Sequence, residues 1–412
     1  MPQIGIITSP GHNTEIESLR ELKRVGLDAK IFRWNEDPKQ IAKCQSFMIP
    51  GGFSYEDRGR SGLISAQNPV MDLIAKEAAK GKPVIGICNG AQGLVELKLV
   101  PGDEDNTKAL ALAKNKRIKD GHVLGTGYYN EWVYVKRVVD KARTPFTHLV
   151  SDKPYLVPVA HGEGRYTSIY HKMEHLLEEN QQVVFKYCDA KGNISDEFPV
   201  NPNGAMLNAA AVCNAEGNVL SIMPHPERGL QATIFEMFTS LKYHLEETPK
   251  LVSFPKMKLE AEDLSPKPFA PLGEEMIIEE IITDNEAYTL SNTLQKLLGK
   301  EIKVKRYTHF DIKGGDLKEL EKTGELFNSN KESVVKKVPR TKDDFALLVQ
   351  YREDFEGQSL VENLNEHYDA GVEKITKGTL WVFEGVDEKT KQKIIDSTLF
   401  YNINSQVGYD YL

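Results

Sequence analysis

The segment Pro83-Val84-Ile85-Gly86-Ile87-Cys88-Asn89-Gly90-Ala91-Gln92-Gly93-Leu94 decides the fold. Its first part, Pro83 to Ile87, is a short apolar run rich in β-branched residues, which suits a buried parallel strand. The residues from Ala91 to Leu97 have mostly helix-forming composition. Cys88 therefore stands at a strand-to-helix turn, flanked by Gly86 and Gly90. This Gly-x-nucleophile-x-Gly spacing describes an elbow that pushes one side chain forward at a helix N-terminus. Glycine suits the turn because a Cβ there would crowd neighbouring backbone or force a strained φ. A helix N-terminus also favours the thiolate, the nucleophilic form of cysteine. A small buried cysteine closing a core strand would look the same in isolation. The rest of the chain has to separate the two.

Upstream of the elbow, strands and helices alternate. Ile4 to Thr8 reads as a strand, and Asn13 or Thr14 caps a helix carrying Ile16, Leu19, Leu22 and Val25 on one side and stopping at Gly26. Asp28 to Trp34 and Ser46 to Ile49 read as further strands, the latter breaking at Pro50-Gly51-Gly52. Asn68-Pro69, an N-cap followed by proline at the first helical position, opens a helix that ends at Gly81. Repeated βα units of this length predict an α/β domain with a mainly parallel sheet and helices on both faces. Active sites in such sheets collect beyond the carboxyl ends of the strands. Cys88 and the Pro50–Asp57 loop both occupy such ends, and paired glycines let backbone N–H groups turn toward an oxyanion.

A cysteine nucleophile also needs a base. Gly217-Asn218 reads as a turn and Val219 to Met223 as a strand, which ends in Pro224-His225-Pro226-Glu227-Arg228. The prolines restrict the backbone around His225, and Glu227 is near enough to hydrogen-bond the imidazole and fix its tautomer. Cys88, His225 and Glu227 then supply nucleophile, base and orienter.

Composition narrows the function classes. The chain has 412 residues, enough for two or three domains, and its 40% hydrophobic and 27% charged content is that of an ordinary globular protein. A net charge of -8 argues against a nucleic-acid binder. Cys44, Cys88, Cys188 and Cys213 are widely spaced with no C-x-x-C pair, so neither a disulfide framework nor a zinc site is expected, and a cytoplasmic location fits. The N-terminus lacks a basic region followed by a long apolar core, and no apolar run approaches the length of a membrane span.

Pro249, Pro255, Pro266, Pro268 and Pro271 mark a change of character. They predict a first domain over 1–247, an extended proline-rich linker over 248–274 and a smaller α+β domain over 275–412. The last part contains two similar units. In the first, a strand at Met276–Ile282, a helix with Ala287, Leu290, Leu294 and Leu297, and a strand at Ile302–Phe310 lead to a polar helix and Leu326-Phe327-Asn328. In the second, a strand at Phe345–Val349, a helix with Leu360, Val361 and Leu364, and a strand at Thr379–Phe383 lead to a helix from Glu388 and Leu399-Phe400-Tyr401-Asn402. Each is small for an independent core, so the two are expected to pack as a pair. This half has no glycine-rich phosphate loop, no cysteine and no clear metal-ligand spacing.

Five motifs in order along the chain carry a resemblance: Pro50-Gly51-Gly52-Phe53-Ser54-Tyr55, Gly86-Ile87-Cys88-Asn89-Gly90-Ala91-Gln92, Pro158-Val159-Ala160-His161-Gly162-Glu163-Gly164-Arg165-Tyr166, Asn201-Pro202-Asn203-Gly204 and Pro224-His225-Pro226-Glu227-Arg228. The second and last resemble the triad motifs of class I glutamine amidotransferases. Together the five resemble the glutaminase component of phosphoribosylformylglycinamidine synthase, an enzyme of purine biosynthesis, over roughly residues 3 to 245. The resemblance implies that Cys88 attacks the glutamine side-chain amide, giving a γ-glutamyl thioester and ammonia, while His225 moves the proton and Glu227 orients it. It implies an oxyanion site at the backbone N–H groups of Asn89 and Gly52. Gln92 and His161-Gly162-Glu163 become candidates for holding the α-amino and α-carboxylate groups of glutamine.

The sequence departs from the family's usual wording at Tyr55-Glu56-Asp57, where a glycine often follows the tyrosine, and at Ala205-Met206-Leu207. The duplicated tail resembles the PurS-type small component of the same synthase, present as a tandem pair; in that family the small subunit dimerises and bridges glutaminase to synthetase. The resemblance thus implies glutamine as substrate, no metal or cofactor in this chain, and a separate PurL-type synthetase chain that carries ATP and magnesium. Neither nucleic acid nor membrane is an expected partner. An amidotransferase serving another acceptor and a non-catalytic assembly subunit stand as alternatives.

Overall fold

Val84–Ile87 forms the strand expected of it, with all four residues buried. It lies near the middle of a nine-stranded sheet in the order Asp28–Arg33, Gln3–Thr8, Ser46–Ile49, Val84–Ile87, Val219–Ile222, Ala209–Cys213, Val183–Cys188, Tyr129–Arg137, Tyr155–His161. The computed structural model describes residues 2–229, 235–260, 262–263 and 265–411, and the chain divides into units Met1–Glu260 and Ala261–Leu412. The first five strands of the sheet run parallel, as the βα repeats predict. The remaining four are added antiparallel, so the sheet is mixed and not mainly parallel. Connection length is one reason. Only Asn214–Asn218 lies between Cys213 and Val219, far too short for the crossover that parallel neighbours need.

Burial accounts for the central strands. Ser46–Ile49, Val84–Ile87 and Val219–Ile222 are buried at every residue, which explains their continuous apolar runs. Leu22 of helix Glu15–Arg24, Val70, Met71 and Ile74 of helix Pro69–Ala79, and Leu94 of helix Asn89–Glu96 join the same hydrophobic core. Pro69 takes the first helical position, as read from Asn68-Pro69. None of the described helices is long and apolar enough to cross a membrane.

The described residues of the segment expected as a linker over 248–274 are largely extended and attached, residues 261 and 264 lying outside them. Val252 N–H donates to Ala142 O, Phe254 N–H to Ala215 O, and Met257 and Leu259 are buried in the first unit. Apolar burial at two positions and these bonds outweigh the freedom that the prolines suggest. Farther on, Lys267–Pro268 pairs with Gln406–Asp410, and the Leu272 and Gly273 N–H groups donate to the Asp311 carboxylate within the second unit.

The second unit holds the duplicated pattern in full. Strand Glu274–Glu280, helix Asn285–Leu298, strand Val304–Gly314, helix Leu317–Thr323 and strand Glu332–Val334 correspond to Phe345–Tyr351, Phe355–Tyr368, Val372–Phe383, Glu388–Asp396 and Gln406–Asp410. In each copy the first strand lies antiparallel between the second and the third. The copies meet where Val304–Gly314 pairs antiparallel with Val372–Phe383, from Val304 opposite Phe383 to Gly314 opposite Val372. The duplication extends to the helix caps. Asp284 and Asp354 start the first helix of each copy, and Asp316 and Asp387 the second, each accepting a backbone N–H of its first turn.

Candidate active site

Three neighbouring parallel strands bring the predicted residues together. Ser46–Ile49 delivers Pro50-Gly51-Gly52, Val84–Ile87 delivers Cys88, and Val219–Ile222 leads into His225 and Glu227. Cys88 has φ 51° and ψ −106°, a strained backbone that ends the strand and starts helix Asn89–Glu96 in one residue. Its N–H donates to Ile222 O at 2.8 Å, so the elbow is bonded to the strand that carries the base. The flanking glycines are required by close approach, since neither has positive φ. A Cβ on Gly86 would collide with the Gly90 carbonyl, and one on Gly90 with the Ile49 carbonyl.

His225 and Glu227 are buried and joined, with Nδ1 2.7 Å from Oε1. The His225 N–H is fixed to Pro158 O at 2.9 Å. Cys88 is the ring's other neighbour and acts on it by charge and by a side-chain hydrogen bond. Burial by itself would lower the imidazole pKa, but Glu227 and Cys88 outweigh it and raise it to about 10. The site thus favours an imidazolium beside the sulfur. The sulfur itself is buried, 3.7 Å from Ala160 O.

Gly51 lies in the angle between nucleophile and base: a Cβ there would stand 2.7 Å from His225 Cε1 and 3.3 Å from Cys88 Cβ. Gly52, at φ 145°, packs so closely on Gly11 and His12 that a Cβ would reach 2.6 Å from Gly11 O and from His12 Cα. The loop is pinned on either side of Gly52, by Thr14 Oγ1 accepting from Gly51 N–H at 2.9 Å and by Phe53 N–H donating to Gly11 O at 2.9 Å. Asn89 opens its helix, so its N–H has no intrahelical acceptor. Its side chain is a hub, with Oδ1 accepting from Ser54 N–H and Nδ2 donating to Asp57 and Gln92.

The four residues expected to grip glutamine are placed differently from one another. Gln92 is spent within the protein, its Oε1 accepting from Asn89 at 2.9 Å and its Nε2 donating to the Glu163 carbonyl at 2.5 Å. It braces the elbow helix against the Glu163 segment. His161 is also buried, with Nδ1 3.2 Å from Asn115 Oδ1, and its ring fills the space that a Cβ on Gly164 would need. The Gly162 carbonyl accepts from Asn115 N–H at 2.9 Å. Glu163 is half-buried, its Oε2 accepting from Ser61 N–H at 3.1 Å. Sequence reading misses the parts that Thr14 and Asn115 play here, since their residue types carry no signal. It also leaves the Asn201-Pro202-Asn203-Gly204 turn without a place. That turn braces the same segment through Asn203 Nδ2, which donates to Gly164 O at 2.8 Å.

The histidines set an expected pH response. Burial pushes His12 down to about 4 and His161 down to about 3, so both stay neutral in the fold where an unfolded histidine takes a proton near 6.5. Below 6.5 the unfolded chain binds more protons, and each histidine costs up to about 1.4 kcal/mol of stability per pH unit. His225 acts in the other direction. Its folded value is raised, so its contribution is complete below 6.5 and is lost as pH rises toward about 10. Urea midpoints measured across this range are expected to peak near neutrality; a midpoint still climbing below pH 6 would contradict the assignment.

A family model described as the CobB/CobQ-like glutamine amidotransferase domain matches residues 1–258. The phosphoribosylformylglycinamidine synthase subunit PurQ of Methanothrix thermoacetophila is 43% identical over 232 residues, covering 56% of this chain and 87% of the relative. The chain belongs to the PurQ family of glutamine amidotransferases. The PurQ subunit of Thermomicrobium roseum is 40% identical over 231 residues, 55% of this chain and 87% of that relative. The solved structure of PurLQS from Thermotoga maritima matches at 28% identity and a TM-score of 0.46, covering 59% of this chain and 99% of that one. The family model stops at residue 258, before the duplicated second unit.

Proposed function

We propose that Cys88, His225 and Glu227 release ammonia from glutamine for phosphoribosylformylglycinamidine synthesis, and that the second unit bridges this glutaminase to a separate ATP-dependent synthetase. The observation that carries the reading is the convergence of three adjacent strand ends on one buried Cys–His–Glu site. The Cys88 thiolate adds to the side-chain amide carbon, and the carbonyl oxygen becomes an oxyanion facing the Gly52 and Asn89 N–H groups. The His225 imidazolium gives its Nε2 proton to the departing nitrogen, and ammonia leaves as the γ-glutamyl thioester forms. His225 then takes a proton from water, the resulting hydroxide cleaves the thioester, and glutamate leaves with the thiolate restored. Glutamine and water become glutamate and ammonia.

This chemistry needs no cofactor from the chain. Forming an amidine from an amide does need ATP, and ATP with magnesium is assigned to the synthetase partner. The two β-α-β-α-β copies joined at one antiparallel seam support a tandem PurS-like unit, a dimer drawn into one chain. A cytoplasmic enzyme acting on neither nucleic acid nor membrane completes the reading. Co-purification with a PurL-type synthetase, followed by an assay of ATP- and glutamine-dependent amidine formation, tests it. Glutaminase activity is expected to rise when the synthetase is added; equal rates with and without it would count against the coupling, and an inactive pair against the reading as a whole.

A further inference from the structure

The second unit holds a cavity of about 850 Å³ that has no task in a bridging role. It opens where strand Phe345–Tyr351 ends and strand Val372–Phe383 runs on, because the two pair only as far as Gln350 opposite Gly378. Its floor is polar. Gln350, Thr376 and Asp311 share one face of the sheet, since Asp311 stands opposite Thr376 and Thr376 lies two residues from Gly378. Ile277, Tyr307, Leu348 and Leu380 of the same face are apolar core. Asp311 is satisfied, its carboxylate accepting from Leu272 N–H at 3.0 and 2.9 Å and from Gly273 N–H at 3.1 Å. Gln350 is not. It is 8% exposed, and its Nε2 has no hydrogen-bond partner among the described residues. A buried amide N–H left unpaired costs free energy that a bound acceptor recovers.

The first copy of the duplication handles the same place differently. The registers match Ile278 opposite Thr308 to Val349 opposite Thr379, and so Glu279 to Gln350 and Ile302 to Glu373. Glu279 is exposed, whereas Ile302 is buried, with its carbonyl accepting from Ser291 Oγ at 2.7 Å. One copy closes the place with an isoleucine, and the other leaves it open with Glu373 at the rim. The rim decides what fits. Arg352 and Lys374 stand there with Glu353, Glu362 and Glu373. A phosphate would meet three carboxylates, and a bare cation two positive side chains, while a zwitterion meets both signs favourably. At the floor, the Gln350 amide N–H and the Thr376 hydroxyl call for an acceptor, and the charge of Asp311 rejects a second carboxylate. An amide side chain on an α-amino acid answers both ends.

We infer that this cavity binds an amide-bearing α-amino acid, glutamine or asparagine, with its carboxamide oxygen on Gln350 Nε2 and its ammonium and carboxylate groups at the charged rim. The site is separate from the triad, and the inference does not depend on the glutaminase reading. Hydrogen–deuterium exchange of the full chain tests it, with L-glutamine, L-asparagine, L-glutamate or inorganic phosphate added in large excess. Glutamine or asparagine is expected to protect residues 269–273 and 350–358, the stronger of the two naming the ligand, while glutamate and phosphate leave both segments unprotected. Gln350→Leu keeps the bulk and removes the donor, and is expected to weaken the amide's apparent affinity about 10-fold or more. Its melting temperature without ligand is expected to hold or rise, because an unpaired buried polar group is lost; a packing role for Gln350 would lower it. Glu362→Gln, on an exposed helix position, is expected to weaken the same protection without touching the core.

Absence of protection by either amide would overturn the inference. So would protection by glutamate equal to that by the amides, protection by phosphate, or protection undiminished in both variants.

Discussion

Replacing Cys88 with alanine is expected to abolish glutamine hydrolysis and glutamine-dependent amidine synthesis, while the assembled complex still makes amidine from added ammonium. The sulfur is the atom that bonds to the substrate, and losing a nucleophile from a comparable triad costs on the order of 10⁶ in kcat. Little else changes. Alanine keeps the Cβ, the residue is buried, and the left-handed φ of 51° is as accessible to alanine as to cysteine. The Ile222 bond to the residue-88 N–H and the neighbouring His225–Glu227 pair do not depend on the sulfur. Glutamate release and amidine formation, measured on one preparation with each nitrogen source, decide the matter. Equal loss with glutamine and with ammonium would sink the division of labour between the chains.

Gly51→Ala is expected to lower glutaminase kcat by at least about 100-fold, because a displacement near 1 Å at a reacting group costs that much. The new methyl group would stand 2.7 Å from His225 Cε1, closer than real side-chain contacts allow, and 3.3 Å from Cys88 Cβ. His225 cannot give way freely. Its Nδ1 is held by Glu227 at 2.7 Å and its N–H by Pro158 O at 2.9 Å. Gly51 has no positive φ, so alanine fits the backbone, and the stability cost is expected to stay within the ~1–3 kcal/mol of an overpacked site. Steady-state kinetics, thermal melting and the rate of Cys88 alkylation separate catalytic from structural loss. A kcat within a few-fold of wild type would show that the base and the thiol need no such narrow gap.

The legible parts of the chain share a physical character. Ile4–Thr8, Ser46–Ile49, Val84–Ile87 and Val219–Met223 are β-branched or apolar runs between turn residues, and all four form strands, the last ending one residue early at Ile222. Ala209–Cys213 is just as buried, yet three of its five residues are alanine, which has little strand preference, and nothing in the local pattern separates it from a helix. The antiparallel half of the sheet is hard to read for that reason. The proline segment reads as free chain because proline breaks helices, whereas burial of Met257 and Leu259 depends on a surface made by distant residues. The duplicated tail is legible through its matching order of elements; the last strand of each copy is not, Glu332–Val334 being short and polar.

In the site the same division holds. The elbow glycines, Cys88 and the Pro-His-Pro-Glu run announce themselves because their chemistry depends on residue type and close spacing. Local order in this chain follows from steric rules acting over a few residues, and so do the nucleophile, its base and its orienter. Tertiary packing alone determines that Gly51 sits between thiol and imidazole, that Gln92 links Asn89 to the Glu163 carbonyl, and that Asp57 joins the same network through Asn89. Those relations join segments far apart in the chain, Gly51 and His225 among them. Each is set by how three parallel strand ends and the loops beyond them share one small space, and no spacing along the chain encodes that.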